Sequence, residues 1–258
     1  MISAHTNHHL EVGMRKKKVA AVLGGSLLLL APIAVGAPAY AGQNPPALCY
    51  ANGPFGPPVE ATIVGSGNIV GTSGDDVILG SAGPDQIAGL GGNDSICAEG
   101  GNDSVDGGGG NDVILGDGSG PEDPPPFGPG GNDRLVGGAG DDVVAGLGGN
   151  DIIVGGAGKD TLIGMGGMDR IRGGDNNDEI FGGPGDDNLG GDRGNDTIFG
   201  NYQSDTISGG GGADYINGDN PEVGGGPPGG PTETPGAFDT CNGDGGVNTV
   251  VNCEVGNT

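Results

Sequence analysis

The stretch that decides the fold is residues 71–115, which read GTSGDDVIL GSAGPDQIA GLGGNDSIC AEGGNDSVD GGGGNDVIL when divided into units of nine. Each unit has aspartate at position six and a branched aliphatic residue at position eight. The same phase resumes after a proline-rich interruption and continues to residue 217, which gives fifteen units in all. A fixed short period of this kind indicates a repeat architecture, in which every unit is one small structural element.

Position eight tests the alignment independently, because the units were aligned on their aspartates. It holds Ile, Leu or Val in all fifteen units. Position one is glycine in every unit except that of Ala98, and position four in every unit except those of Asn176 and Gln203. A flexible glycine-rich linker needs only composition and has no reason to keep residues in phase. The phased pattern therefore predicts an ordered fold, although 64 glycines and a net charge of −25 alone would permit disorder.

Each unit contains the residues for one tight turn and one short strand. Glycines at positions one, two and four allow positive φ and close approach of backbones. Positions seven to nine are predicted to form the strand, with the aliphatic side chain at position eight pointing into a narrow core. A single unit cannot bury this side chain, so the chain is predicted to be an all-β solenoid whose strands pair with the coils above and below. Two units make one coil of eighteen residues.

The turns offer only hard oxygen ligands, namely backbone carbonyls and the carboxylate at position six. Such oxygens suit Ca²⁺. The predicted metal ligands are the fifteen position-six aspartates: Asp76, Asp85, Asp94, Asp103, Asp112, Asp133, Asp142, Asp151, Asp160, Asp169, Asp178, Asp187, Asp196, Asp205 and Asp214.

Units n and n+2 fall on the same side of the solenoid. If the interruption loops out, the aspartates form one column of eight and one of seven, and an ion between each adjacent pair gives about thirteen Ca²⁺. Their charge of about +26 nearly balances the −28 expected for the mature chain, which has 5 basic and 33 acidic residues. Without the ions, the stacked carboxylates would repel one another.

The pattern G-G-x-G-x-D-x-U-x over residues 71–217 resembles the RTX, or hemolysin-type, calcium-binding nonapeptide repeat. This resemblance implies a right-handed parallel β-roll (a β-helix solenoid) of two nonapeptides per coil with capped ends. It also implies calcium in the turns, with the position-six aspartates as carboxylate ligands. The departures at Ala98, Asn176 and Gln203 predict weaker sites near those residues.

Residues 1–41 are predicted to be a secretory signal peptide. Met14 begins the basic sequence MRKKK, an apolar run follows over residues 19–35, and a small-x-small motif ends at Ala41. The apolar run is short for a membrane span and is broken by glycine and proline. Residues 1–13 are neither basic nor apolar, which makes Met14 an alternative start. We therefore expect a secreted, extracellular protein without a membrane span after cleavage.

Export makes the four cysteines candidates for two disulfides. Three pairings are open, and the favoured one joins Cys49 to Cys97 and Cys241 to Cys253, because each bond then closes one end of the chain. Free thiols are the alternative.

Five segments are predicted in the mature chain. Residues 42–70 form an N-terminal cap, residues 71–217 the repeat array, and residues 237–258 a disulfide-stapled C-terminal cap. A proline-rich insertion at about 118–129 and a flexible Gly/Pro loop at 218–236 leave the array. Solenoids need such caps, because an exposed last strand invites pairing with another chain.

Both caps keep part of the repeat rhythm. Ile69 is in phase with position eight, but Gly67 stands where aspartate would be, so this coil is expected to hold no ion. In the C-terminal cap, Asp239 falls at position six and Asn248 follows one period later.

The sequence argues against an enzyme. The mature chain has no histidine to activate a serine, threonine or cysteine, and the pairs of adjacent aspartates are explained by the repeat. The acidic surface also argues against nucleic acid as a partner. The expected function is an extracellular calcium-binding repeat protein with calcium-dependent folding and a structural or interaction role. A surface adhesin module and an accessory fragment of a secreted hydrolase system remain as alternatives. Calcium is the expected partner, and the sequence does not identify a protein or cell-surface partner.

Overall fold

The structure is a computed structural model that describes residues 21–23, 26–28, 48–49, 59–118, 130–219, 239–253 and 255–257. The chain divides into two units, residues 1–39 and 40–258. In the first unit, strands β1 (Ala21–Leu23) and β2 (Ser26–Leu28) pair antiparallel. Most of the predicted signal peptide lies outside the described residues.

The second unit contains two parallel sheets of ten strands each, which we call the even sheet and the odd sheet after their strand numbers. The even sheet consists of β6 (Asn68–Val70), β8 (Gln86–Ala88), β10 (Ser104–Gly109), β12 (Arg134–Ala139), β14 (Ile152–Ala157), β16 (Arg170–Asp175), β18 (Asn188–Arg193), β20 (Thr206–Ser208), β22 (Thr240–Asn242) and β24 (Val255–Asn257). The odd sheet consists of β5 (Ile63–Val64), β7 (Val77–Ser81), β9 (Ser95–Glu99), β11 (Val113–Leu115), β13 (Val143–Gly148), β15 (Thr161–Gly166), β17 (Glu179–Pro184), β19 (Thr197–Tyr202), β21 (Tyr215–Asp219) and β23 (Thr249–Val251).

Successive units alternate between the two sheets. Leu135 pairs with Ile153, and Ile153 with Ile171, so successive strands of a sheet within the uninterrupted array are eighteen residues apart. The position-eight side chains of the array are 3% exposed or less and stack into one continuous core between the sheets. This confirms the prediction of an all-β parallel roll with two nonapeptides per coil. The described residues include no helix that is long and apolar enough to cross a membrane.

The strands are longer than predicted. Strand β12 continues from position seven through position three of the next unit, and Gly138 within this extension pairs with Gly156 of the following coil. Positions seven to nine form strand in every unit, as predicted, and in most units the strand also extends into the next turn. The reason is that stacked turns have the same shape, so their backbones can hydrogen-bond from coil to coil as strands do; the N–H of Gly140, for example, donates to the carbonyl of Ala157 at 2.8 Å.

The proline-rich insertion leaves the stack undisturbed. Ser104 pairs with Arg134, and Val113 with Val143, across thirty residues instead of eighteen. Of the predicted insertion, only Gly118 is among the described residues, and the predicted loop at 218–236 likewise lies mostly outside them.

Both favoured disulfides form, Cys49–Cys97 and Cys241–Cys253. Cys241 stands at position eight beside Ile207, so the second bond lies at the C-terminal end of the core. Cys97 stands at position nine, on the opposite face of its strand from the core, so the first bond lies on the outer face of the odd sheet. There β3 (Leu48–Cys49) pairs antiparallel with β4 (Val59–Glu60).

A second apolar cluster surrounds this outer disulfide. Leu115, Ala145 and Leu147 are fully buried beside Cys49 and Cys97, although positions nine and two lie outside the position-eight core. The odd sheet is thus apolar on both faces over its first half, which the sequence analysis did not predict.

Candidate metal centre

The position-six aspartates stack into two columns along the solenoid. The odd column precedes the odd-sheet strands and the even column precedes the even-sheet strands. All fifteen predicted aspartates are buried, with at most 8% of their surface exposed. The odd column contains Asp76, Asp94, Asp112, Asp142, Asp160, Asp178, Asp196 and Asp214, and the even column contains Asp85, Asp103, Asp133, Asp151, Asp169, Asp187 and Asp205.

One oxygen of each carboxylate joins two coils. The backbone N–H of Asp133 donates to Oδ1 of Asp151 at 2.8 Å, and the same bond recurs along both columns at 2.8–3.0 Å. The bonds from Asp103 to Asp133 and from Asp112 to Asp142 bridge the insertion without a break, at 2.8 Å each. The columns therefore have the membership expected if the insertion loops out.

The other carboxylate oxygen has no donor in most of the repeats. Thirteen Oδ2 atoms are buried and make no hydrogen bond with any described residue, those of Asp94, Asp103, Asp112, Asp133, Asp142, Asp151, Asp160, Asp169, Asp178, Asp187, Asp196, Asp205 and Asp214. A buried acceptor without a partner costs about 1–3 kcal/mol, and more when it is charged. Such atoms are rare in folded proteins, and an array of buried carboxylate oxygens has the ligand chemistry that a cation would satisfy.

The first aspartate of each column is different. Oδ2 of Asp76 accepts the N–H of Thr72 at 2.6 Å, and Oδ2 of Asp85 accepts the N–H of Ser81 at 2.7 Å. These two of the fifteen predicted ligands thus have protein donors at the oxygen that is open in the others.

Glycine at position one makes room beside the open oxygen. A Cβ added to Gly155 would lie 2.3 Å from Oδ2 of Asp160 and 2.6 Å from the carbonyl oxygen of Gly173 in the next coil. Gly155 does not have positive φ, so glycine is required at this position only because a Cβ would come too close to these oxygens. Backbone therefore lines the space around the open carboxylate oxygens, except at Asp103, whose unit has the buried Ala98 at position one.

In most units, positions two and four adopt the left-handed conformation. Gly156 and Gly158 have φ of 125° and 148°. Asn176 and Gln203, the two exceptions at position four, adopt φ of 83° and 74°. Asn176 and Gln203 therefore keep the turn shape, and each carries the strain of a non-glycine residue with positive φ.

Burial raises the pKa of the open carboxyl groups above the ordinary aspartate value. The N–H bond to Oδ1 lowers the pKa again, and in most cases the neighbouring aspartates of the same column raise it further. The direction is upward for Asp94, Asp160 and Asp214. The pKa reaches about 6 in Asp103, Asp112, Asp169 and Asp196, about 7 in Asp133, Asp142 and Asp178, about 8 in Asp151 and Asp187, and about 9 in Asp205.

Side chains alone do not make a site here. Within the part of the chain that the structure describes, no three His, Cys, Asp or Glu side chains come together in the manner of a metal cluster. A cation in these turns would therefore take most of its ligands from backbone carbonyls. Calcium accepts such oxygen sets readily.

A second hydrogen-bonded ladder, which the sequence analysis missed, runs beside each column. Oδ1 of Asn93 at position five accepts the N–H of Asn111 in the next coil at 2.8 Å, and Oδ1 of Asn132 accepts the N–H of Asn150 at 2.7 Å. These side chains are exposed and point along the stack in the opposite sense to the position-six bonds. Asn or Asp at position five in most units was the signal that could have revealed the ladder.

The insertion begins at a further buried carboxylate. Asp117, at position two, is 7% exposed. Its Oδ1 accepts the N–H of Gly131 at 2.9 Å and its Oδ2 accepts the N–H of Gly148 at 3.2 Å. Because Gly130 takes position three of the same unit, Asp117 ties together the two chain segments between which the insertion leaves the turn.

The C-terminal cap continues both columns. The N–H of Asp205 donates to Oδ1 of Asp239, and the N–H of Asp214 donates to Oδ1 of Asn248, at 2.8 and 2.7 Å. Asp239 and Asn248 therefore occupy position six, as the sequence rhythm predicts.

Comparison with known families agrees with this arrangement. The family model described as RTX calcium-binding nonapeptide repeat (4 copies) matches residues 70–105, 98–119, 127–162, 163–198 and 190–220. These ranges cover more than half of the chain and contain all fifteen predicted aspartates. No curated protein matches the chain.

Proposed function

Because the chain belongs to the family of RTX calcium-binding nonapeptide repeat proteins, we propose that it is an extracellular protein whose roll folds around calcium ions held in its turns. The ligands in this proposal are the position-six aspartates together with the backbone carbonyls of the glycine turns. The ions are part of the fold, because the two columns of buried carboxylates need positive charge between the coils.

The thirteen open Oδ2 atoms carry this proposal. Each belongs to the C-terminal member of a stacked pair of aspartates, seven in the odd column and six in the even column. That number equals the number of adjacent pairs among the fifteen predicted ligands, which supports one ion for each pair. Bound Ca²⁺ supplies the positive charge that balances the open carboxylate oxygens. The chain itself fixes the spacing of these oxygens through the Oδ1 bonds.

Secretion completes the proposal. Residues 1–41 have the composition of a signal peptide, and two disulfides are typical of proteins that fold in an oxidising compartment. Extracellular modules bind calcium with dissociation constants of about 10⁻⁴–10⁻³ M. We therefore expect the chain to fold after export, where calcium is abundant.

The proposed role is structural or interaction-directed, without catalysis. Support comes from the buried carboxylates: those at position six belong to the two columns, Asp117 binds backbone N–H groups beside the insertion, and the exposed Asn93 and Asn132 at position five bond to the next coil. Assays of the purified mature protein for protease, lipase and phosphatase activity test this part, and robust turnover in any of them would overturn it.

Far-UV circular dichroism of the mature protein tests calcium-dependent folding. We expect a strand spectrum in millimolar calcium, its loss on addition of excess EGTA at pH 8, and its return when calcium is restored. Magnesium at the same concentration is the control and should not substitute, because it demands a small octahedral cage. A strand spectrum that is indifferent to EGTA would contradict the proposal.

A further inference from the structure

The odd column ends in an asparagine, and its amide makes a contact that no aspartate can make. Oδ1 of Asn248 accepts the N–H of Asp214 at 2.7 Å, as the aspartates do in the earlier coils. Nδ2 of Asn248 stands where the open Oδ2 stands elsewhere, and it donates to the carbonyl oxygens of Gly243 and Gly245, the latter at 3.2 Å. One amide atom faces an N–H and the other faces two carbonyls, which fixes the orientation of the amide.

Gly243 and Gly245 are positions one and three of this last unit. In the array, position one lies against the open Oδ2: a Cβ on Gly209 would come within 2.4 Å of Oδ2 of Asp214, and a Cβ on Gly243 would come within 2.5 Å of Nδ2 of Asn248. The amide nitrogen and the open oxygens therefore occupy corresponding places. At Asn248, two N–H donors satisfy carbonyls that an open carboxylate oxygen can only repel.

We propose that the Nδ2 group of Asn248, which occupies the place of an open Oδ2, satisfies the turn carbonyls as a calcium ion does in the preceding turns, so that the odd column ends without an ion. This inference rests on the proposed function. An ion in the last coil would have solvent on one side and bind weakly, and the turn would then loosen whenever the ion left. A neutral amide keeps the last turn closed at any calcium concentration.

At the N-terminal ends of the columns, protein donors also satisfy the terminal turn, but there they are backbone N–H groups and a hydroxyl. The N–H groups of Thr72 and Ser81 donate to Oδ2 of Asp76 and Asp85, and the hydroxyl of Ser81 donates to Asp85 as well, at 3.0 Å. These position-two residues do not have the positive φ of their counterparts in the array. Protein donors thus satisfy the terminal turns, and open oxygens begin only in the second coil of each column.

Counting bound calcium in Asn248→Asp tests the proposal. The substitution replaces the amide nitrogen by a carboxylate oxygen, and we expect the full mature chain to bind one more ion than the wild type, measured by native mass spectrometry and by isothermal titration. Asn195→Asp is the matched control, because it adds the same charge at exposed position five two coils earlier in the stack and leaves the wild-type number of ions. An unchanged count in Asn248→Asp, or a gain in both variants, would overturn the proposal. Absence of bound calcium in the wild type would instead overturn the proposed function.

The reverse substitution covers the case in which Asn248→Asp fails to fold. Asp160→Asn places the same amide inside the odd column, beside Gly155. We expect it to bind one ion fewer than the wild type and to keep a higher melting temperature in calcium than Asp160→Ala, which also loses one ion but has no amide donors. Equal melting temperatures for the two variants would show that an amide cannot take the place of the ion.

Discussion

Asp103 and Asp133 are thirty residues apart in sequence, yet the N–H of Asp103 donates to Oδ1 of Asp133 at 2.8 Å, as it would to a residue eighteen positions away. The coils on the two sides of the insertion therefore stack directly. The twelve additional residues of chain leave the length of this inter-coil bond unchanged.

Deletion of residues 118–129 should consequently leave the roll intact. Asp117 at position two would then be followed at once by Gly130 at position three, which restores an uninterrupted nonapeptide. We expect the calcium-dependent strand spectrum and the number of bound ions to equal those of the wild type, with a small gain in stability from the shorter loop. Loss of calcium-dependent folding in the deletion variant would show that the insertion is part of the stack.

Substitutions of the adjacent residues Asp141 and Asp142 distinguish the position-five ladder from the position-six column. Asp142→Ala removes a buried position-six carboxylate whose Oδ1 accepts the N–H of Asp112 at 2.8 Å, so it should cost one bound ion and at least about 1–3 kcal/mol in the presence of calcium. Asp141→Ala removes the exposed acceptor of the Lys159 N–H, so it should cost about 0.5–1.5 kcal/mol and no ion. Denaturant unfolding and ion counting on both variants check this. Equal ion counts would contradict the assignment of position six as the metal ligand.

The pH dependence of stability should reverse when calcium is removed. In the metal-free fold, burial and the neighbouring aspartates raise the pKa of Asp151 and Asp187 to about 8 and of Asp205 to about 9, whereas an unfolded aspartate has a pKa of about 3.9. The folded chain then binds more protons than the unfolded chain between about pH 4 and pH 9. Its stability is therefore greatest near pH 4 and falls as the pH rises through these values.

With saturating calcium the opposite holds, because the metal binds the carboxylates and releases their protons. Thermal unfolding of metal-stripped and calcium-saturated protein at pH 5.5 and 8.5 provides the comparison. We expect the stripped protein to be more stable at pH 5.5 than at pH 8.5, and the saturated protein to be more stable at pH 8.5 than at pH 5.5, with calcium stabilising the fold at both pH values. A stripped protein that gains stability towards pH 8.5 would show that its aspartates are not buried as described.

Gly155 at position one should be intolerant of substitution, and Gly109 at position three should not. Gly155→Ala brings Cβ within 2.3 Å of Oδ2 of Asp160, which should cost about 1–3 kcal/mol and weaken one calcium site. Gly109→Ala is the matched control, since its Cβ meets no heavy atom within 4 Å and Ala139 occupies the same position one coil later. We expect that variant to remain within about 0.5 kcal/mol of the wild type. Equal costs in denaturant unfolding would contradict the close approach at position one.

The period of nine was enough to predict the coil, the core and the two columns, because each depends on one residue type at one position. The aliphatic residue at position eight identifies the inward face, and the aspartate at position six identifies the turn. The two disulfides could also be predicted, since Cys49 and Cys97 lie near one end of the array and Cys241 and Cys253 near the other.

Features that depend on the neighbouring coil were missed. The Asn93 ladder requires an N–H at the right place eighteen residues further on, which follows from the shape of the stacked turns and not from the unit itself. The outer cluster around Leu115 and Ala145 was missed because position nine is apolar mainly in alternate units, so that a period of nine averages it with the polar residues of the other sheet. Comparison of positions at a spacing of eighteen separates the two sheets and reveals the cluster.

A crystal structure of the mature protein grown with calcium, with anomalous diffraction data, tests the role of the open carboxylate oxygens most directly. We predict an anomalous peak about 2.3–2.6 Å from Oδ2 of Asp151, and a corresponding peak at each of the other twelve open oxygens. The result that would contradict calcium-dependent folding is an intact roll in which these Oδ2 atoms bind water or a proton and no cation lies between the coils.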